Sequence, residues 1–261
     1  MNLNRLAAFW PALLCATTLS AQQLPDLYHS ESYGDPPFLI EEGWTPLLNG
    51  TDLTGWAGRD GAAHEWFTAQ AVWWQRIFNP ARLTAKVGPG GRIVNGPNGR
   101  TADFVTTGRF GDMELYLEFM TARSSNSGVY IHGLYEVQIF DSYGFQGPLM
   151  VGDCAGIYEG EGSHGSPPLV NACLAPGAWQ SLHIWFKAPR FDTSEKKTSN
   201  ARILRVLLNG MLVQREFELP GPTLGHLSIP EAAQNPLMLQ GDHGAIAFRS
   251  IYVRPLSETA H

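Results

Sequence analysis

Cysteine is scarce in this chain: three residues in 261, Cys15, Cys154 and Cys173. They form no Cys-x-x-Cys pair, and no His-x-x-x-His occurs, so no compact metal or dithiol signature is present. Runs of positive charge are also missing. The longest is Lys196-Lys197, the formal net charge is −6 and the pI is near 5.7. A nucleic-acid partner, which needs a basic stripe, is therefore not expected. There is no phosphate loop, no dinucleotide fingerprint and no Gly-x-Ser-x-Gly elbow. Long apolar runs are lacking as well. The longest, Leu6 to Leu19 behind Arg5, is short of the roughly 20 residues of a membrane span. Its length and flanks instead predict a signal peptide over residues 1–21 and a periplasmic or secreted product. Without it, Cys154 and Cys173 remain. An oxidising compartment favours a disulfide between them; two buried thiols are the alternative.

What is present is glycine, proline and aromatic residues: 28 Gly, 18 Pro, eight Trp and eight Tyr. Residues 22–42 are polar and Pro-rich and read as an arm. From residue 43 to 256, short apolar or alternating runs are punctuated by Gly, Pro, Asn and Asp, as in a one-domain β sandwich. Met113 to Met120 alternates, with Met113, Leu115, Leu117 and Phe119 on one face. Ser181 to Lys187 sets Leu182, Ile184 and Phe186 against His183, Trp185 and Lys187. Asn209-Gly210 between two strand-like runs predicts a tight hairpin, and Ala245 to Arg254 closes the chain as a strand before Pro255. The expected fold is all-β, a two-sheet antiparallel jelly roll of the concanavalin-like lectin and glucanase kind, with a groove on one sheet.

The densest polar load inside a strand-like run is Ser127 to Asp141. Strict alternation places Tyr130, His132, Leu134, Glu136, Gln138 and Phe140 on one face and an apolar set on the other. Gly133 is a candidate bend that would change the phase. A His, a Glu and a Gln on one strand face are costly unless solvated or satisfied; a groove accounts for them. Jelly-roll glucanases of the retaining type hold two carboxylates ~5–5.5 Å apart, near the ~6.6 Å spacing of strand positions i and i+2. Here the residue two beyond Glu136 is Gln138, an amide, and Asp141 is out of phase unless a bulge intervenes. A conventional two-carboxylate glycosidase is not supported. A second cluster, Gln240-Gly241-Asp242-His243-Gly244, reads as a loop at a groove edge.

Several motifs in order resemble one known family. They are Trp44-Thr-Pro-Leu-Leu-Asn-Gly-Thr-Asp-Leu-Thr-Gly-Trp56, Asn126-Ser-Gly128, Tyr135 to Asp141, and Asn171 with Pro176-Gly-x-Trp179. Phe186-Lys-Ala-Pro-Arg-Phe191, Leu239-Gln-Gly-Asp-His-Gly244 and Phe248 to Leu256 follow. The chain is similar over residues 43–256 to the 3-keto-disaccharide hydrolase domain. Gly241 is inserted relative to that family's pattern, and the stretch from His64 to Asn98 is long. The resemblance implies a jelly roll that cleaves glycosides oxidised at carbon 3. A ketone there acidifies the proton on carbon 2, so one base can drive elimination at carbon 1. On that expectation Glu136 or His132 is the base, Lys187 or a divalent metal stabilises the enolate, and His243 is the acid. Tyr130, Gln138, Asp141, Gln240 and Asp242 complete a set that binds a small carbohydrate. A metal site, if formed, would draw on His132, Glu136, His243 and a loop carboxylate. A non-catalytic carbohydrate-binding module is the alternative.

Overall fold

The computed structural model describes residues 36–256 except residue 161; the expected signal peptide and most of the arm lie outside the described residues. A short helix α1 (Pro37–Ile40) leads into β1 (Thr45–Pro46), β2 (Trp56–Gly58), β3 (Phe67–Trp74), β4 (Leu83–Val87), β5 (Arg92–Val94) and β6 (Phe104–Thr106). There follow β7 (Met113–Thr121), β8 (Asn126–Ile131), β9 (Tyr135–Phe140), β10 (Gln180–Lys187), β11 (Arg190–Phe191) and β12 (Lys197–Ser199). The last are β13 (Ala201–Leu208), β14 (Met211–Leu219), β15 (Met238–Leu239) and β16 (Ile246–Pro255). They form a large sheet in the order β14-β13-β10-β7-β16-β5-β3-β4, with β1 also on β16, and a smaller one, β2-β6-β15-β8-β9. β11 and β12 pair as a separate ribbon. The strand pairs of both sheets are antiparallel, the two-sheet jelly-roll arrangement expected.

The core lies between the sheets. Met113, Leu115, Leu117 and Phe119 of β7 meet Leu182, Ile184 and Phe186 of β10, all at most 1% exposed, with Val129, Val137 and Ile139 opposite from the small sheet. Each such buried side chain contributes ~1.5–3 kcal/mol. The other face of β7 is covered too. Glu114 pairs with Arg254, Glu118 pairs with Arg249, and Tyr116 packs edge-on beneath Phe38 of α1. Alternation thus identified the core face, while ion pairs and the N-terminal segment close the outer one. The Asn209-Gly210 hairpin joins β13 and β14, with Leu208 opposite Met211 and both turn residues at positive φ (52° and 78°), as the primed turn requires.

Candidate active site

Ser127 to Asp141 is a hairpin and not one strand. β8 ends at Ile131, three residues turn, and β9 begins at Tyr135. Because the loop has three residues, Tyr130 comes to lie directly opposite Glu136, and Gly128 opposite Gln138. Cross-strand partners share a face, so the parity that strict alternation gave to Tyr130, Glu136 and Gln138 survives the turn. These three, with Asn126, line a pocket of about 230 Å³ on the outer face of the small sheet. Tyr158, Leu224, Gly225, Gln240 and His243 complete the lining. The volume falls below the ~300–1,000 Å³ of drug-sized sites and suits a small ligand.

Glu136 is the only carboxylate in that described lining. It is 3% exposed, and its acidity is set by burial, which pushes its pKa up to about 8; the nearby charges of Asp103 and Asp242 act in the same direction. The Tyr130 hydroxyl oxygen lies 2.9 Å from Glu136 Oε2 and 3.1 Å from the Leu224 carbonyl. A hydroxyl has one proton, so it cannot donate fully to both. The two protonation states of Glu136 divide these bonds: the ionised carboxylate accepts from Tyr130, whereas the protonated one can donate its O–H to Tyr130 while Tyr130 donates to Leu224. The backbone is shaped to admit this pair. A Cβ on Gly128 would sit 2.2 Å from Glu136 Oε1, and one on Gly225 would sit 2.6 Å from the Tyr130 hydroxyl.

The Gly241-to-Gly244 loop is braced from the long segment before β6. Asn95, fully buried, donates to the Gly241 and Gly244 carbonyls and accepts from the Ile246 amide. The Gly241 amide donates to Asp103, which pairs with Arg59. Arg59 in turn donates to the carbonyls of Gly225 and His226. One Arg–Asp pair therefore ties both loops flanking the pocket. Burial raises the pKa of Asp103. His243 is half exposed at the pocket edge, and its Nδ1 is hydrogen-bonded to Asp242 Oδ1. This leaves Nε2 as the nitrogen free of that bond. Among the described residues, Asn126 Oδ1 and Gln240 Oε1 are buried without a hydrogen-bond partner. They are acceptors in the pocket lining available to the hydroxyls of a ligand.

The structure differs from five expectations. His132 opens the hairpin turn at φ 57°, and its ring packs edge-on against Phe186 in the core, 0% exposed, with Nε2 3.3 Å from the Gly111 carbonyl. Burial lowers its pKa to about 4. It is not in the pocket, so neither the base role nor a metal set containing it forms. Among the described residues no three His, Cys, Asp or Glu side chains converge as metal ligands, so the donor set for a divalent metal does not fit and no step is routed through one. Lys187 ends β10 of the large sheet and lines a different cavity; it does not line the Glu136 pocket. Asp141 follows β9 without a bulge, and its Oδ2 accepts from the Ser124 amide. Cys154 and Cys173 are not bonded to each other. Both are buried thiols, and the Cys173 Sγ lies 3.6 Å from the Phe140 carbonyl oxygen and 3.5 Å from that of Leu174.

Of the residues singled out in the sequence, Tyr130, Glu136, Gln138, Gln240 and His243 line the pocket, with Asp242 hydrogen-bonded to His243. Asn126, Tyr158, Leu224, Gly225, Arg59 and Asp103 were not anticipated. Asn126 shares the period-two face of Gly128 and Tyr130 and was legible there. The others come from separate loops and leave no periodic signal.

The profile of the 3-keto-alpha-glucoside-1,2-lyase-like domain matches residues 43–254. The chain belongs to this family. A provisionally named glycosyl hydrolase of Parabacteroides distasonis superposes with a TM-score of 0.59 at 26% identity, covering 82% of this chain and 84% of that one. Another from the same organism gives a TM-score of 0.53 at 17% identity, covering 82% of this chain and 95% of that one, which bears on the fold alone. No curated protein matches the sequence. The domain is thus a carbohydrate-acting, glycosyl-hydrolase-like one, and among its described residues no helix is long and apolar enough to cross a membrane.

Proposed function

We propose that this domain cleaves 3-keto-glycosides by elimination and hydration, with Glu136 as the base. The observation that carries this is the single carboxylate among the described residues of the pocket lining, buried and with its pKa raised to about 8. Hydrolysis of an unmodified glycoside calls for two carboxylates about the anomeric carbon. Elimination needs one base, and a base with a raised pKa removes a carbon-bound proton better than an ordinary carboxylate does. Glu136 takes the proton from carbon 2, and the electron pair moves onto the oxygen of the carbon 3 ketone. The enolate then expels the glycosidic oxygen from carbon 1, and His243, oriented by Asp242, gives that oxygen a proton. Water adds across the resulting carbon 1–carbon 2 double bond: its hydroxyl joins carbon 1 and a proton returns to carbon 2, leaving the free 3-keto sugar. The amide groups of Asn126, Gln138 and Gln240 hold hydroxyls, and their NH groups are the available neutral donors to the enolate oxygen.

The Arg5-to-Leu19 segment supports export of the domain to a periplasmic or extracellular space. The test of the function is ketone dependence. Purified protein incubated with 3-keto glucosides and with the parent glucosides should cleave only the former. Equal rates on both would overturn the proposal.

A further inference from the structure

A second, larger cavity lies on the outer face of the large sheet, where the β11–β12 ribbon stands beside β10, β13 and β14. Its volume is about 660 Å³, within the range of ligand sites. Five cations line it: Lys187, Arg190, Lys197, Arg202 and Arg205. Three are matched by carboxylates. Arg190 pairs with Asp112, Lys197 with Glu231 at 2.7 Å, and Arg202 with Glu216 and Glu218 at 3.2 and 3.5 Å. Lys187 and Arg205 have no carboxylate within ion-pair distance among the described residues. Lys187 does feel Asp112, whose pKa it helps to lower, but the Asp112 oxygens are taken by Arg190 and the Ala188 amide.

The backbone is adapted to present this charge. Opposite Trp185 and Phe186 the register of β13 slips, with Phe186 facing Ile203 and Trp185 facing Arg205. The extra residue in β13 turns Leu204 and Arg205 both into the cavity, while Ile203 and Val206 stay buried. Such bulges re-aim side chains and are frequent beside binding sites. The guanidinium of Arg205 rests 3.6 Å above the Trp185 ring, which fixes it while leaving its donors unpaired with any carboxylate among the described residues. Thr198, Ser199 and Asn200 add hydroxyl and amide groups to the rim.

We propose that this cavity is a second carbohydrate site, one that takes an oligosaccharide carrying anionic groups, with Lys187 and Arg205 binding the anion and the ribbon binding neighbouring hydroxyls. The polar rim and the absence of an exposed aromatic platform (Trp185 is 5% exposed beneath Arg205) fit an anionic sugar better than a neutral one. The acidic chain as a whole, at −6, argues against a nucleic acid. The site is independent of the Glu136 pocket and of the chemistry proposed there.

Calorimetric titration tests this on the full mature chain, with a trigalacturonate, a sulfated heparin hexasaccharide, neutral cellotriose, inorganic sulfate and a short single-stranded DNA as separate probes. At an ionic strength of about 0.15 M, at least one of the two anionic oligosaccharides should bind, and which one binds tells carboxylate from sulfate. The variant combining Lys187→Gln with Arg205→Gln should weaken that binding by about tenfold or more, while Glu136→Gln should leave it unchanged. The proposal is overturned by no binding of either anionic oligosaccharide, or by unchanged affinity in the double variant. Equal or tighter binding of cellotriose, inorganic sulfate or the DNA overturns it too.

Discussion

The Tyr130 hydroxyl oxygen stands 2.9 Å from Glu136 Oε2, across a hairpin whose three-residue turn brings the two residues face to face. When Glu136 is ionised, Tyr130 donates to it, and that bond holds the carboxyl pKa below where burial alone would put it. The pair therefore sets the pH at which the base is available. With Glu136 at about 8, kcat/KM on a 3-keto glucoside should rise with pH through an inflection near that value. Tyr130→Phe removes the donor and should move the inflection to higher pH. A profile that stays in place in the variant would remove Tyr130 from this role.

Glu136→Gln separates turnover from binding. Loss of a general base is expected to lower kcat by about 10²–10⁴-fold, with ligand affinity largely retained; a non-catalytic module would have no turnover to lose. The same change should stabilise the fold in alkaline solution. A carboxyl whose pKa is raised on folding favours the folded state when protonated. That contribution is complete below the unfolded value of about 4.3 and is lost as pH rises through about 8. Above this, the glutamine variant avoids a buried charge and should be more stable, on the order of 1–3 kcal/mol. Urea unfolding of both proteins in mildly acid and alkaline buffer measures the difference.

Gly128 is required by the Glu136 side chain lying over it, since an added Cβ would meet Oε1 at 2.2 Å. Gly128→Ala should therefore depress kcat by about tenfold or more, because small displacements of a catalytic group are costly. Its circular dichroism should remain that of the parent. Unchanged kinetics would show that Glu136 need not occupy this position.

Cys154 and Cys173 are buried thiols that are not bonded to each other. Protein unfolded without reductant should therefore label at both thiols. Protection of the pair until reductant is added would show instead that the expected disulfide forms.

Much of the fold was legible because period-two patterns are dictated by the pleat. Met113 to Phe119 and Leu182 to Phe186 name their core faces, and Asn209-Gly210 names its turn. In the site, Tyr130, Glu136 and Gln138 were legible by the same rule, and Asp242 and His243 by their place between glycines. His132 was misplaced because alternation was carried through a turn. At φ 57° a residue no longer obeys the pleat, and Gly133 beside it was the available sign. Lys187 was correctly put on the outward face of its strand, but a strand pattern does not say in which sheet the strand lies. Arg59 and Asp103, distant in sequence and joined only by the fold, left no trace in either pattern.

The most direct test of Glu136 as the base for carbon 2 is reaction of a 3-keto glucoside in deuterium oxide, with hydrogen at carbon 2 of the product followed by NMR. Proton removal and return predict deuterium at carbon 2 in the wild-type product, and little product of any kind from Glu136→Gln. Wild-type cleavage that leaves the original hydrogen on carbon 2 would contradict the account.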